Sequence, residues 1–536
     1  MSSSITPTTG HEAGTPGTVG GVVGAPSAAR AAQLVRRADG GADSAPVEAV
    51  SPFTGLLTAT LPQATDADAR RVFAEARAAQ AAWAARPVSE RAKVLRRVYE
   101  KILKRQDEIL DLVQVEAGKA RIDAFDEVSA AALVAGHYGK HSARLLAPKR
   151  VSGLIPFLTR ARELRHPKGV VGVITPWNYP VALTAMDVFP ALVAGNTVVQ
   201  KPDNQTALSA LWLHELAEEA GLPAGVWRVV PGRGSRIGDA FAEESDYLCF
   251  TGSTPTGKDL ATKIAHRLTG YSLELGGKNP MVVLPDAPVA KAAAGAVTAC
   301  FSSAGQLCVS VERLYVHESI REEFTEAFVA KTKALRLGAE LSYSADVGSL
   351  TTQGQLESVS AHVEDAREKG AEVLAGGRPR PDIGPLFYEP TVLTGVTEDI
   401  TLFAEETFGP VVSIYGYHDV EDAIERANSG EYGLNASVWG RDTAAASAVA
   451  ARLKAGTVNV NEGYAATFGT VGLPMGGMKE SGFGRRNGAE GLLKYTEAQA
   501  VAVQRGMRLR PARAVSPRLW TRALTAGIRL LNRLPR

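Results

Sequence analysis

Three short segments carry side chains able to make covalent bonds, move protons or hold phosphate. Cys308, in Ser303-Ala-Gly-Gln-Leu-Cys-Val, follows the flexible, polar pair Gly305-Gln306. That setting can expose a thiol as a nucleophile. A lone cysteine otherwise serves as a small buried hydrophobe. Cys249, inside the apolar run Tyr247 to Phe250, and Cys300 fit that plainer role. Glu274 lies between two leucines in Leu273-Glu-Leu-Gly-Gly-Lys278. Burial there would raise its pKa toward that of a general base, whereas a structural ion pair is the competing account. The turn Phe250-Thr251-Gly252-Ser253 reads as strand-to-helix, so its helix start offers N–H groups to an anion, or simply carries a serine cap.

Two phosphate-binding patterns fail on inspection. Gly252-Ser-Thr-Pro-Thr-Gly-Lys258 matches seven positions of a P-loop, but the eighth is Asp259. A carboxylate there lacks the magnesium-binding hydroxyl and repels phosphate, which argues against a Walker ATPase. Gly232-Arg-Gly234 resembles the start of a dinucleotide fingerprint, yet the third glycine, Gly238, comes one residue late.

These residues need a scaffold. The chain has 536 residues, 45% hydrophobic and 22% charged, long enough for more than one domain. A net charge of +2 gives no reason to expect nucleic acid as a partner. Three cysteines are too few for a disulfide framework and suggest a reducing compartment. No run of about 18 apolar residues is present, and the N-terminus lacks the basic and apolar regions of a secretory signal. A soluble, cytoplasmic protein is expected. Residues 1 to about 45 are rich in Gly, Ala, Ser, Thr and Pro and read as a disordered extension. Asp66 to Ala120 has helical spacing. From about 168, the runs VVGVITP, NTVVQKP, VWRVVPG, DYLCFTG and NPMVVLP read as buried strands separated by helices. VERLYVHES, GPVVSIYGY and GTVNVNE follow as a second series. The expectation is two α/β domains built on parallel sheets.

The motifs PWNYP (176–180), KPD (201–203), FTGS (250–253), LELGGK (273–278), GQLC (305–308), EETFGP (405–410) and PMGGMKESGFGR (474–485) occur in this order. From about residue 45 to 503 the chain thereby resembles the NAD(P)-dependent aldehyde dehydrogenase superfamily. The resemblance implies a Rossmann-type cofactor domain, an α/β catalytic domain and a small oligomerisation arm. Carried over by position, Cys308 would be the nucleophile, Asn178 and the Cys308 backbone N–H the oxyanion donors, and Glu274 the base that activates water. The presence of Glu274 favours hydrolysis over transfer of the acyl group to coenzyme A. Lys201 would contact the adenosine ribose. Trp177 and Ser253 would contact the pyrophosphate, with Thr175, Pro176 and Gly252 also binding the cofactor. Glu406 would hold the nicotinamide ribose and Phe408 would stand beside the ring. No metal site is implied.

Many NAD-preferring relatives carry a glutamate three residues after the lysine. Here that residue is Asn204, which removes the repulsion of a 2′-phosphate and favours NADP over NAD. The wording GQLCVSVERLYV and RRNGAEGLLKYTE looks most like a bacterial branch of NADP-linked succinate-semialdehyde dehydrogenases. Two arginines that bind the substrate carboxylate in the better-known semialdehyde branch are replaced by Met186 and Ser302. An uncompensated carboxylate is costly in an apolar tunnel, so another group must bind it or the substrate is uncharged. Hydroxyls on the loop Tyr464 to Thr470 are candidates. Ser310, two residues after Cys308, rules out a Cys-x-Cys redox switch. The alternatives are an aromatic or medium-chain aldehyde dehydrogenase and a catalytically silent scaffold; retention of Asn178, Glu274, Cys308 and Glu406 argues against the scaffold.

The expected organisation is a cofactor domain over 46–146 and 168–276, a catalytic domain over 277–480, and an arm from 147–167 and 486–503. The arm would pair subunits of a homodimer or homotetramer. The tail, 505–536, holds nine arginines and no acidic residue. Leu519, Trp520, Leu524, Ile528 and Leu531 give it an amphipathic stretch. It reads either as a helix for an anionic membrane or a partner, or as a solvated appendage against its own or a neighbouring subunit; the latter is preferred for so short a segment.

Overall fold

The computed structural model describes residues 18–41, 44–152, 159–505, 510–511 and 513–533. Two units are distinguished: one spans residues 1–145 and 167–497, the other 146–166 and 498–536. The larger unit is built on two sheets. In the first, strands Val170–Ile174, Thr197–Lys201, Trp227–Val229, Tyr247–Thr251 and Gly270–Glu274 run parallel in the spatial order fifth, fourth, first, second, third. Gly482–Phe483 adds an antiparallel edge beside Gly270–Glu274. Every residue of Val170–Ile174, Thr197–Lys201 and Tyr247–Thr251 is buried, which explains why these strands read as unbroken apolar runs. The order reverses between the first and fourth strands, which opens a crevice at their carboxyl ends.

The second sheet has seven strands, in the order Glu372–Ala375, Thr391–Thr394, Val411–Tyr417, Val311–His317, Asn279–Val283, Asn435–Trp439 and Thr457–Val460. All are parallel except Glu372–Ala375. Leu314, Val316, Val412 and Ile414 pack with Phe301, Phe324 and Phe328 in one core, while Val282, Tyr315, Val411 and Val438 enter another. The helical region appears as Asp66–Ala84, Val88–Lys104 and Gln106–Ala117. Thr65 and Asp68 form a reciprocal capping box at the first of these. In the smaller unit, Lys149–Ser152, Thr159–Pro167 and Thr496–Gln504 make a three-stranded sheet, and Pro517–Leu531 forms a helix.

Two expectations change. Residues 1–17 lie outside the described residues, but the remainder of the anticipated extension is ordered in part, with helix Ala28–Val35 capped by Ser27. Leu34 is fully buried, and Arg30 bridges Glu108 at 2.7 Å and Glu215. A single apolar anchor and one bidentate cation secure this short helix, too little signal to stand out in Gly- and Ala-rich surroundings. The second segment of the smaller unit also begins at Ala498, not 486, because Arg486, Leu492 and Tyr495 are buried in the larger unit. Replacing Leu34 by Ala should cost about 3 kcal/mol through the cavity left behind. The expected outcome is faster amide exchange across Ala28–Val35 and a lower melting temperature.

Candidate active site

A cavity of about 270 Å³ lies at the carboxyl ends of the first, fourth and fifth strands of the six-stranded sheet. The chain leaving Val170–Ile174 contributes Pro176, Trp177 and Asn178, and that leaving Tyr247–Thr251 contributes Gly252 and Ser253. Glu274 ends the fifth strand. The seven-stranded half supplies Cys308, Glu406 and Phe408. Nine of the twelve residues expected from sequence therefore line one space. Thr175, Lys201 and Asn204 do not line it. The Thr175 hydroxyl accepts a hydrogen bond from Gln200 at 3.1 Å, and buried Lys201 donates to the Pro202 carbonyl at 3.2 Å. Asn204 donates its amide to Gln63 at 3.3 Å, so it is not simply a vacated carboxylate position.

Cys308 is half-buried, the most accessible of the three thiols. Burial, followed by the Glu274 and Glu406 carboxylates, pushes it up to about 12. The preceding loop is held in a costly conformation. Ser303 and Ala304 adopt positive φ values of 52° and 53°, a strain that needs support from its surroundings. Tyr179 Oη meets Ser303 Oγ at 2.8 Å, and Asn178 Nδ2 donates to the Gln306 carbonyl at 3.0 Å. Asn279 Nδ2 donates to the Cys308 carbonyl at 2.8 Å. These bonds fix the direction of the backbone that carries the sulfur.

Glu274 is buried, and its Oε1 has no hydrogen-bond partner within the protein. Burial pushes its carboxyl up to about 7, with Arg486 and Lys494 pulling in the opposite direction. An orphaned carboxylate oxygen at that pKa can accept a proton near neutrality. Glu406 is held by the Gly277 N–H at 2.7 Å, and burial raises it to about 8. A Cβ on Gly276 would sit 2.4 Å from Glu406 Oε2, so only glycine admits this approach.

Sequence reasoning missed what braces the Glu406–Phe408 turn. Glu312, paired with Lys278 at 2.5 Å, accepts from the N–H groups of Thr407 and Phe408 at 3.0 Å each. Gln355 Nε2 donates to the Phe408 carbonyl at 2.8 Å. Phe408 itself has φ 51° and meets Trp177 edge-on, with ring centroids 5.6 Å apart. Lys278 lay within a recognised motif, but nothing local marked Gln355. At Ser253, the side chain does not cap helix Thr254–Ala265, so the helix start retains donors for an anion. Lys258 pairs with Glu480 instead of facing the cavity, in keeping with rejection of a P-loop. Among the described residues no acidic, His or Cys group suits a metal ion.

The profile of the Aldehyde dehydrogenase family matches residues 40–501. The chain belongs to the aldehyde dehydrogenase family. It is 53% identical to a Mycolicibacterium smegmatis protein bearing the provisional name succinate-semialdehyde dehydrogenase (NADP+), over 92% of this chain and 95% of that one. It is 36% identical to the mitochondrial succinate-semialdehyde dehydrogenase of Oryza sativa, over 86% and 87%. Among solved structures, a point mutant of Staphylococcus aureus betaine aldehyde dehydrogenase in complex with NAD+ superposes with a TM-score of 0.85. It has 30% identity, and the match covers 91% of this chain and 99% of that one. An NADP-dependent enzyme of E. coli gives 0.82 at 34% identity, covering 86% and 95%.

Behind the cavity of this aldehyde dehydrogenase lies a buried ionic cluster. Asp187, on helix Pro180–Ala194, accepts from Arg486 at 2.5 and 3.2 Å, from Lys494 at 3.2 Å and from Tyr495 at 3.0 Å. Arg486 also bonds the Thr251 hydroxyl, and Lys494 donates to Ser272 at 3.1 Å. Burial alone would raise Asp187, but the Arg486 and Lys494 charges outweigh it and hold the carboxyl below its usual range. On the other side, Met186 is fully buried and Ser302 stands beside Asp123, whose carboxyl burial raises to about 7. Neither position supplies a cation. Of the loop hydroxyls, Thr467 and Thr470 donate to their own helix at 3.2 and 2.6 Å, which leaves Tyr464 next to Ser302.

Asp187→Asn should cost about 3 kcal/mol at pH 7, since it strands two buried cations. Because the folded pKa is depressed, this stabilisation exists above the unfolded value and fades as pH falls through the folded one. Parent and variant melting temperatures should therefore begin to converge only below about pH 4, and meet once the folded carboxyl is itself protonated.

Proposed function

We propose that this enzyme oxidises succinate semialdehyde to succinate with NADP+, acting in the cytoplasm as a homodimer or homotetramer. The reading is carried by one observation: an accessible thiol, an amide donor and a carboxylate with an unsatisfied oxygen face one cavity. The relatives' names support the substrate and the phosphorylated cofactor. The strand Thr159–Pro167 and the sheet it joins would serve as the subunit-pairing arm.

The cavity would receive the nicotinamide and pyrophosphate end of such a cofactor. Ser253 and the uncapped start of its helix offer donors to a pyrophosphate, and Pro176, Trp177 and Gly252 line the same side. Thr175, Lys201 and Asn204 would flank the adenosine end. Glu406 would hold the nicotinamide ribose and Phe408 would stand beside the ring. When bound, NADP+ accepts hydride from the substrate carbon.

At rest Cys308 is protonated. Its proton passes to solvent water, and the thiolate attacks the aldehyde carbon to form a C–S bond. The carbonyl oxygen becomes an oxyanion, held by Asn178 Nδ2 and the Cys308 N–H. Loss of hydride leaves a thioester on Cys308. Glu274 then removes a proton from water as that water attacks the thioester. The C–S bond breaks, the acid departs and the thiolate is restored. A second reading, an aromatic or medium-chain aldehyde, is favoured by Met186 and Ser302, which provide no counter-charge for a substrate carboxylate. Initial rates with succinate semialdehyde, benzaldehyde and hexanal separate the two. The highest kcat/KM belongs to succinate semialdehyde under the first reading, and turnover of none would indicate a silent scaffold.

The two catalytic residues should fail differently. Cys308→Ala removes the attacking atom, so no reduced cofactor forms even in one turnover. Glu274→Gln still acylates, giving a burst of up to one equivalent per site before a slow steady state. Stopped-flow absorbance reads the amplitude. Absence of a burst in an E274Q variant that binds NADP normally would overturn the division of labour.

The ionic cluster should also set the pH dependence of hydrolysis. Glu274 must be deprotonated to act, so activity rises with pH through about 7. Arg486→Met removes a cation and should shift that limb upward by roughly one pH unit, with Arg486→Lys restoring it. Asp187→Asn removes an anion and should shift it downward. A common direction for both variants would indicate general disruption instead.

A further inference from the structure

The helix Pro517–Leu531 lies beyond the matched family region, and none of the chemistry above uses it. At 3.6 residues per turn, Arg518, Arg522 and Arg529 fall within an arc of roughly 40°. Leu519, Trp520, Ala523, Leu524, Ile528 and Leu530 occupy the opposite half. This segregation is as complete as the composition allows, because the segment 505–536 contains no acidic residue and no lysine. Part of the apolar side is open: Leu519 is 65% exposed, Ile528 55% and Leu530 63%, whereas Trp520 and Leu524 are half-buried. A fifteen-residue helix spans about 22 Å, short of the roughly 30 Å hydrocarbon core. Among the described residues no helix is long and apolar enough to cross a membrane.

We propose that this helix lies in the surface of an anionic phospholipid membrane and holds the enzyme there peripherally. The apolar half would enter the boundary between headgroups and acyl chains, and the arginines would pair with lipid phosphates. Charge distribution favours this occupant. The tail carries +9, whereas the remainder has fifty Lys and Arg against 57 Asp and Glu and is net negative. The tail thus couples a net positive charge, within a chain whose remainder is net negative, with exposed leucine and isoleucine, the combination that an interfacial helix requires and that a merely solvated appendage does not. Arginine, with its planar fork of donors, suits phosphate better than lysine does. The alternative seat, an acidic face on a second copy of this chain, is an outcome of the test.

The full-length enzyme is floated with phosphatidylcholine vesicles and with vesicles of phosphatidylcholine and phosphatidylglycerol at 7:3. Binding is expected only to the second set, with weakening as salt rises. A triple variant, Arg518→Gln, Arg522→Gln and Arg529→Gln, should bind on the order of 100-fold more weakly. Leu519→Ser with Ile528→Ser should bind less at every salt concentration, with dehydrogenase activity in solution unchanged in both variants. Failure of the parent to float with anionic vesicles at low salt overturns the proposal, as does binding insensitive to both variants. If the variants alter the sedimentation coefficient of lipid-free enzyme but not vesicle binding, the helix instead seats on a second subunit. Aldehyde turnover is measured separately, so this result is independent of the reaction proposed above.

Discussion

The buried Asp187–Arg486 pair is the constraint on which the site depends. Asp187 comes from the helix that begins two residues after Asn178, and Arg486 from the segment that follows the edge strand beside Glu274. Thr251, at the end of the central strand, joins through the arginine. One charged contact thereby references three pieces of chain to one another. Such a pair is a costly way to gain stability, because desolvation offsets much of the attraction. Its value here is directional, since bidentate geometry fixes orientation where apolar packing would tolerate a slide.

A second clamp acts from the other half of the larger unit. Glu312 and Lys278 are both nearly inaccessible, and the carboxylate spends its remaining acceptors on the Thr407 and Phe408 amides. This contact offsets the left-handed Phe408 backbone, just as Tyr179, Asn178 and Gln306 support Ser303 and Ala304. Both segments that present Cys308 and Glu406 thus carry backbone strain. The surroundings are rigid strands and a wholly buried helix, so the strained loops have no easy route to relax.

Burial then does chemical work. Glu274, Cys308 and Glu406 share one poorly solvated space, and each is shifted toward its neutral form. Glu274 is shifted least far from neutral pH because Arg486 and Lys494 partly offset its desolvation. The cluster that orders the backbone is thus also the source of the field at the carboxylate.

Much of this was legible in the residue string. Continuous apolar runs such as VVGVI and YLCFT announced strands buried on both faces, because a parallel sheet hides both sides of each strand. Ordered motifs identified the family and nine of the residues that meet in the cavity. Strand Gly270–Glu274 was not read as a strand, and Asn435–Trp439 was passed over, since polar residues interrupt their apolar pattern. The rest belonged to tertiary structure. Nothing local in Asp187 or Arg486 indicates a partner 299 positions away. Asn204 looked like a vacant position until the fold set Gln63 against it. Helix Ala28–Val35 exists because Glu108 and Glu215 receive Arg30. Local sequence determines which segments are strands, turns and reactive side chains, through periodicity and backbone preference. Which charges become neighbours, and therefore which pKa values move, is decided only when distant segments are brought together in a medium too poor in water to screen them.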